Sequence, residues 1–113
     1  MNDPISQATL IPTKDQVIEV LKTVEDPELF LDIWFLGLIY SIEIAEPEEV
    51  GAGCKVNIEM TFTSPMCPAG PLLLDKVKTG VMTIPGVKDV EVKIVFSPPW
   101  QPSDDVRALL GLI

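Results

Sequence analysis

The segment Cys54–Phe62, CKVNIEMTF, limits the possible folds more than any other stretch of the chain. Val56, Ile58, Met60 and Phe62 alternate with Lys55, Asn57, Glu59 and Thr61. Side chains along a strand point to opposite faces in turn, so this strand has one apolar face and one polar face. It can cover a core on one side only, and a second layer must close that core. Upstream, Leu38, Tyr40, Ile42 and Ile44 alternate with Ile39, Ser41, Glu43 and Ala45, which predicts another strand. Between them EPEEVGAG (46–53) reads as a turn, so the pair is expected to form an antiparallel hairpin. Val90, Val92, Ile94 and Phe96 alternate with Asp89, Glu91, Lys93 and Val95, which predicts a third strand.

The covering layer is also legible. Thr13-Lys14-Asp15-Gln16 matches a capping box. Val17, Ile18, Leu21 and Val24 follow at helical spacing, predicting a helix over roughly 14–24 that Asp26-Pro27 ends. Leu73, Val77, Val81 and Ile84 fall on one helical face, flanked by Leu74 and Met82, and Pro85-Gly86 stops this second helix. Ser103 or Asp104 can cap a short last helix carrying Val106, Leu109 and Leu110. The order helix, strand, strand, helix, strand, short helix predicts a two-layer α+β sandwich. Residues 1–13 are expected to be a flexible lead-in and residues 14–113 a single domain.

At 113 residues and 47% hydrophobic, the chain can build a core without disulfides. The net charge of −9 is uneven: residues 1–50 hold eleven acids and two bases, and the remainder hold six of each. An acidic chain with no basic cluster argues against nucleic acid as a partner. A solvated surface is the simplest reading of the acidic half, and a docking face for a basic partner is the sharper one. No apolar run approaches the length of a membrane span, and MNDPISQATLIP lacks the features of a signal peptide, so no membrane association and a reduced, cytoplasmic setting are expected. The absence of histidine removes the usual imidazole bases and most zinc sites.

One junction carries chemistry. TSPMCPAGP (63–71) lies where the central strand gives way to the second helix, and Cys67 sits there between prolines. Pro68 could begin the helix with Cys67 as N-cap, or Pro71 could begin it with Gly70 as N-cap. The second start is favoured, because a Pro71 deeper in the helix would lose its bond to the Cys67 carbonyl. Either way Cys67 lies within about one turn of a helix N-terminus, where the dipole and free N–H groups favour a thiolate. Thr61, Thr63 and Ser64 have hydroxyls able to donate to that sulfur, although Thr61 and Thr63 also suit a strand's polar face. Asp26 and Glu28 sit at the end of the first helix, where a helix-ending turn is the simplest role for them. Cys54 shares parity with the apolar positions and is expected to pack in the core. The strand between the two cysteines spans roughly 30 Å, far beyond the reach of a disulfide. Trp100, after Pro98-Pro99, reads as a lid over the sandwich.

Taken together, VLKTVEDPEL (20–29), LGLIYSIEI (36–44), VNIEMTFTSPMCP (56–68), IPGVKDVEVKIVF (84–96), SPPW (97–100) and RALLGL (107–112) resemble the SufT/PaaD-like family of metal–sulfur cluster biosynthesis proteins. The resemblance covers roughly residues 14–112. It implies the α/β sandwich of the iron–sulfur cluster assembly domain and a role in maturing iron–sulfur proteins as carrier, adaptor or targeting factor. It implies Cys67 as the functional thiol and a possible iron or cluster ligand shared with a partner. Asp26 and Glu28 match the family's DPE acids, and Thr61 and Thr63 its threonines before the cysteine. Its cargo would be a transient iron–sulfur cluster or iron, and its partners the assembly machinery and client apo-proteins. Phe35 and Ser97 stand where the family usually has aspartates, which leaves the site less anionic.

Three functions follow for testing. The first is a non-enzymatic iron–sulfur assembly factor. The second is an accessory or maturation subunit of a phenylacetate-type ring-oxygenating complex, ranked lower because that branch usually has a cysteine-containing C-terminal extension. The third is a thiol enzyme, which no CxxC or histidine partner supports. A shared cluster or an exposed strand edge would suit a homodimer.

Overall fold

The computed structural model of the protein describes residues 11–47, 53–63 and 70–111. The elements are α1 (Lys14–Leu21), β1 (Ile39–Ala45), β2 (Cys54–Met60), α2 (Gly70–Met82), β3 (Val87–Ile94) and α3 (Asp104–Leu110). The predicted element order and the α+β class are both found.

The strands form one sheet in the order β1-β2-β3. β1 and β2 pair antiparallel, with Ile42 opposite Ile58 and Ile44 opposite Val56, as the hairpin reading expects. β2 and β3 pair in parallel, with Val56 opposite Val90 and Ile58 opposite Val92. Parallel neighbours need a long crossover, and α2 supplies it. The central position of β2 explains its strict alternation: Cys54, Val56, Ile58 and Met60 are buried, while Lys55, Asn57 and Glu59 are half-buried. On the polar face Lys55 Nζ donates to Glu91 Oε1 across the β2–β3 pair at 3.0 Å. This hydrogen bond, and the charge of Glu91, raise the Lys55 pKa. The pair is solvated and adds little to stability.

α1 and α2 close the core. Val17 and Leu21 of α1 and Leu73, Val77 and Val81 of α2 are fully buried and cluster with Val56, Ile58, Met60 and Val90. Burying each such side chain contributes about 1.5–3 kcal/mol relative to leaving it in water. Gly80 lets the two helices approach, since a Cβ there would lie 2.9 Å from Val20 Cγ1.

The helix ends follow local chemistry. The capping box is formed in full: Gln16 N donates to Thr13 Oγ1, and Thr13 N donates to Gln16 Oε1. α1 ends three residues before the predicted limit, because Thr23 turns the chain by donating both its N–H and its hydroxyl to the Val20 carbonyl. Val24 is still buried, although it lies outside the helix. Ser103 caps α3 by accepting from Val106 N. The choice between Pro68 and Pro71 as the first residue of α2 falls outside the described residues, and within them the helix begins at Gly70.

Two expectations at strand ends are corrected. β2 stops at Met60, so Thr61 leaves the alternation and is buried at 1% exposure rather than sitting on the polar face. β3 stops at Ile94, so Phe96 is 48% exposed and not in the core.

Phe30 takes a left-handed backbone, with φ 59°, while 74% of the residue is exposed. That conformation costs a non-glycine residue roughly 1–2 kcal/mol. Glycine avoids this cost but gains freedom in the unfolded chain. Phe30→Gly is therefore expected to stabilise the fold by about 0.5–1 kcal/mol, measured as a higher midpoint in thermal unfolding. A lower midpoint would mean that the ring contributes packing.

Candidate functional site

The segments singled out in the sequence meet around residues 33–40. A ladder of backbone hydrogen bonds starts at the loop after α1. Ile33 N donates to Val24 O at 2.9 Å, Leu38 N to Ile33 O at 3.1 Å, and Thr61 N to Leu38 O at 2.8 Å. The ladder ties the Asp26 loop to the residue that follows β2. From the other side, Trp100 Nε1 donates to Leu36 O at 2.6 Å, and Tyr40 Oη donates to Pro98 O at 2.8 Å. Val95 N donates to Met60 O at 2.9 Å, bringing the end of β3 alongside. The DPE, LGL, TFT and PPW segments are thus held as one cluster at the end of β2, after which Cys67 follows in sequence. Trp100 is half-buried and acts as the expected lid, with its indole N–H satisfied by the Leu36 carbonyl.

Asp26 is 1% exposed. Its Oδ1 accepts from Glu28 N at 2.7 Å and Leu29 N at 3.1 Å. Its backbone adds two bonds, Asp26 N to Leu31 O and Phe30 N to Asp26 O. The carboxylate therefore organises the turn, as the helix-ending reading anticipates. Proline at 27 withdraws one N–H, and the side chain captures the next two. Glu28 is exposed on the same turn. Asp32 does the same work one turn later, since its Oδ2 accepts from Phe35 N at 2.8 Å. Sequence reasoning missed Asp32, although an Asp three residues before the bonded N–H is the usual signal for such a cap.

Thr61 is buried and Thr63 half-buried. Beside them Phe62 packs on Gly70: a Cβ at Gly70 would lie 2.9 Å from Phe62 Cζ. The Phe62 ring meets Phe96 at 6.3 Å between centroids and a tilt of 60°, a favourable aromatic geometry. This contact sets the entry of α2 against the exit of β2, the two ends between which Cys67 lies in sequence. Cys67 and Ser64 lie outside the described residues. Cys54 is buried and free, as expected for a packing residue, and its N–H donates to Gly86 O at 2.7 Å.

Phe35 and Ser97, which stand where the resemblance expects aspartates, are both exposed. Phe35 is part of the Asp32 turn, and Ser97 precedes a cis peptide to Pro98. Among the described residues no group of three or more Cys, Asp or Glu is placed to hold a metal ion. No helix among them is long and apolar enough to cross a membrane.

Comparison with known proteins agrees with this arrangement. The family model described as iron-sulfur cluster assembly protein matches residues 14–94. A protein of Porphyromonas gingivalis named Fe-S protein maturation auxiliary factor is 36% identical, covering 91% of this chain and 95% of that one. The Fe-S protein maturation auxiliary factor SufT of Staphylococcus aureus is 46% identical, covering 66% of this chain and 78% of its own. A solved structure of a conserved hypothetical protein of Thermotoga maritima superposes with a TM-score of 0.75 at 38% identity, covering 89% of this chain and 96% of that one. The matched region runs from the start of α1 to the end of β3 and so contains the sheet, both covering helices and the DPE, LGL and TFT segments. The chain belongs to the iron–sulfur cluster assembly protein family.

Proposed function

We propose that this protein matures iron–sulfur proteins, as a carrier, adaptor or targeting factor, and that it acts through the thiolate of Cys67. The observation that carries this reading is the convergence of the DPE, LGL, TFT and PPW segments, through hydrogen bonds, on the strand end from which the chain runs to Cys67. Four separate stretches of sequence are spent on shaping one end of a small sheet. The relatives named as Fe-S protein maturation auxiliary factors support the same reading.

The chemistry divides among the residues as follows. Cys67 precedes α2 closely in sequence, and the positive end of a helix dipole favours the anionic sulfur that binds iron. The hydroxyls of Thr61 and Thr63 can donate to that sulfur. Asp26 holds the neighbouring turn in place, and Glu28 lies exposed on that turn. A cluster usually takes four ligands, mostly cysteine. One thiolate therefore handles a cluster or iron as cargo, with further ligands from a partner or a second copy. The role needs no bond-making step on a substrate and is not enzymatic. Reduced thiols suit the cytoplasm.

Anaerobic reconstitution with iron and sulfide tests the cargo step. The wild-type chain is expected to take up iron with the visible absorbance of a sulfur-ligated cluster, and Cys67→Ser to lose both. Equal iron content and absorbance in the two proteins would remove Cys67 as a ligand.

A further inference from the structure

A second surface of the molecule lies between the 32–36 turn and the start of α3. Here Lys22, Asp32, Trp34, Phe35, Ser103 and Asp105 line an open cavity of ≈370 Å³. Trp34 is 37% exposed and Phe35 38%. The turn that presents them is tightly held: Phe35 N donates to Asp32 Oδ2, Leu36 N to Asp32 O and Gly37 N to Trp34 O. Ile33 and Leu36, on either side of the aromatic pair, are buried at 0% and 1%. The backbone that carries the aromatic pair is therefore fixed in advance, which reduces the ordering cost of binding.

The acids here have structural roles. Asp32 caps the turn, and Asp105 lies in the first turn of α3, where it suits the helix dipole. Those roles do not account for two large aromatic residues beside them that are each more than a third exposed. Neither carboxylate is taken by a cation: the two ion pairs among the described residues are Lys22–Glu19 and Lys55–Glu91. The one base lining the cavity, Lys22, contacts Glu19 of α1 in an exposed pair, so the two carboxylates outnumber the lysine at the cavity. The net charge of −9 disfavours a second copy of this acidic chain and favours a partner of opposite sign.

We propose that this cavity docks an arginine-bearing segment of a partner protein. A guanidinium can stack on Trp34 or Phe35 and direct its N–H groups at the carboxylates of Asp32 and Asp105. Charge complementarity selects the partner, and the aromatic faces select arginine over a simple cation. The cavity borders the candidate site through Asp32 and Phe35, but the proposal does not rest on the Cys67 reading, because its test uses neither Cys67 nor iron.

The test is titration of the full-length, ¹⁵N-labelled protein with a short peptide of Gly, Ser and spaced Arg, compared with the same peptide carrying neutral citrulline in place of Arg. The amide of Gly80, packed between α1 and α2 and not lining this cavity, is an internal control. The Arg peptide is expected to move the Trp34 indole and Asp105 amide signals saturably, leaving the Gly80 amide in place. The citrulline peptide is expected to leave all three unchanged. Asp105→Asn, an exposed change that keeps the fold, should weaken binding roughly ten-fold, and added salt should weaken it further. Equal affinity for the citrulline peptide, shifts confined to other surfaces, or unchanged affinity in Asp105→Asn would each overturn the proposal.

Discussion

Asp26→Ala is expected to lower the unfolding free energy by about 2–3 kcal/mol, the cost of leaving two part-buried donors without their shared acceptor. The residue is 1% exposed, and its Oδ1 serves both Glu28 N and Leu29 N. Alanine leaves both N–H groups without that acceptor, in a turn whose Pro27 has no donor to give. Asparagine keeps an oxygen in the same place and suits the same turn. Asp26→Asn should therefore stay within about 1 kcal/mol of the wild type. Urea unfolding of the three proteins reads the difference as a shift in midpoint at constant slope. A domain of this size would show the alanine loss as a fall of roughly 8–16 °C in melting temperature. If Ala and Asn destabilised equally, the carboxylate would be acting through its charge and not through the turn. The same pair separates structure from function. If Asp26→Asn folds normally but lowers maturation in cells, the negative charge itself serves the site.

Much of this arrangement can be read locally. The alternation in β2 is clean because β2 is the central strand, covered by helices on one face and wet on the other. The stripe Leu73-Val77-Val81 points to α2 because all three residues face one core. The Thr13 capping box is complete within four residues. What lies beyond local reading depends on distant partners. The position of β3 beside β2, in parallel, is a consequence of how α2 crosses the sheet, and no strand pattern encodes it. Thr61 looks like a polar-face residue by parity, but the ladder from Leu38 draws it inward once β2 has ended. The bond from Trp100 to Leu36 joins residues 64 apart, and that from Tyr40 to Pro98 joins residues 58 apart. The left-handed backbone at Phe30 has no glycine or asparagine to announce it, and it arises from the bonds that close the Asp26 turn.

The candidate site divides in the same way. The junction and the family resemblance point to Cys67 in the sequence. That the DPE, LGL, TFT and PPW segments are bonded to one another emerges only in the structure. Asp26, Thr61 and Trp100 each look separable in sequence, and in the structure each supports the same corner. The corner also depends on Gly70, where any side chain would press on Phe62. Its packing thus draws on Phe62 and Gly70, which stand on either side of Cys67 in sequence.

The central claim is that this corner exists to present the Cys67 sulfur. Serine differs from cysteine by one atom, which keeps size and polarity but replaces a sulfur that ionises near neutral pH with a hydroxyl that does not. Cys67→Ser should therefore fold as the wild type does while losing the thiolate chemistry entirely. The loss in function is expected to be complete, because the chain's other cysteine, Cys54, is fully buried. The most direct measurement is the activity of a cluster-dependent enzyme in a strain lacking this protein, supplied with either the wild-type or the Cys67→Ser chain at matched abundance. The account predicts restoration by the wild type and activity no higher than the deletion strain with Cys67→Ser. Full restoration by Cys67→Ser would contradict it.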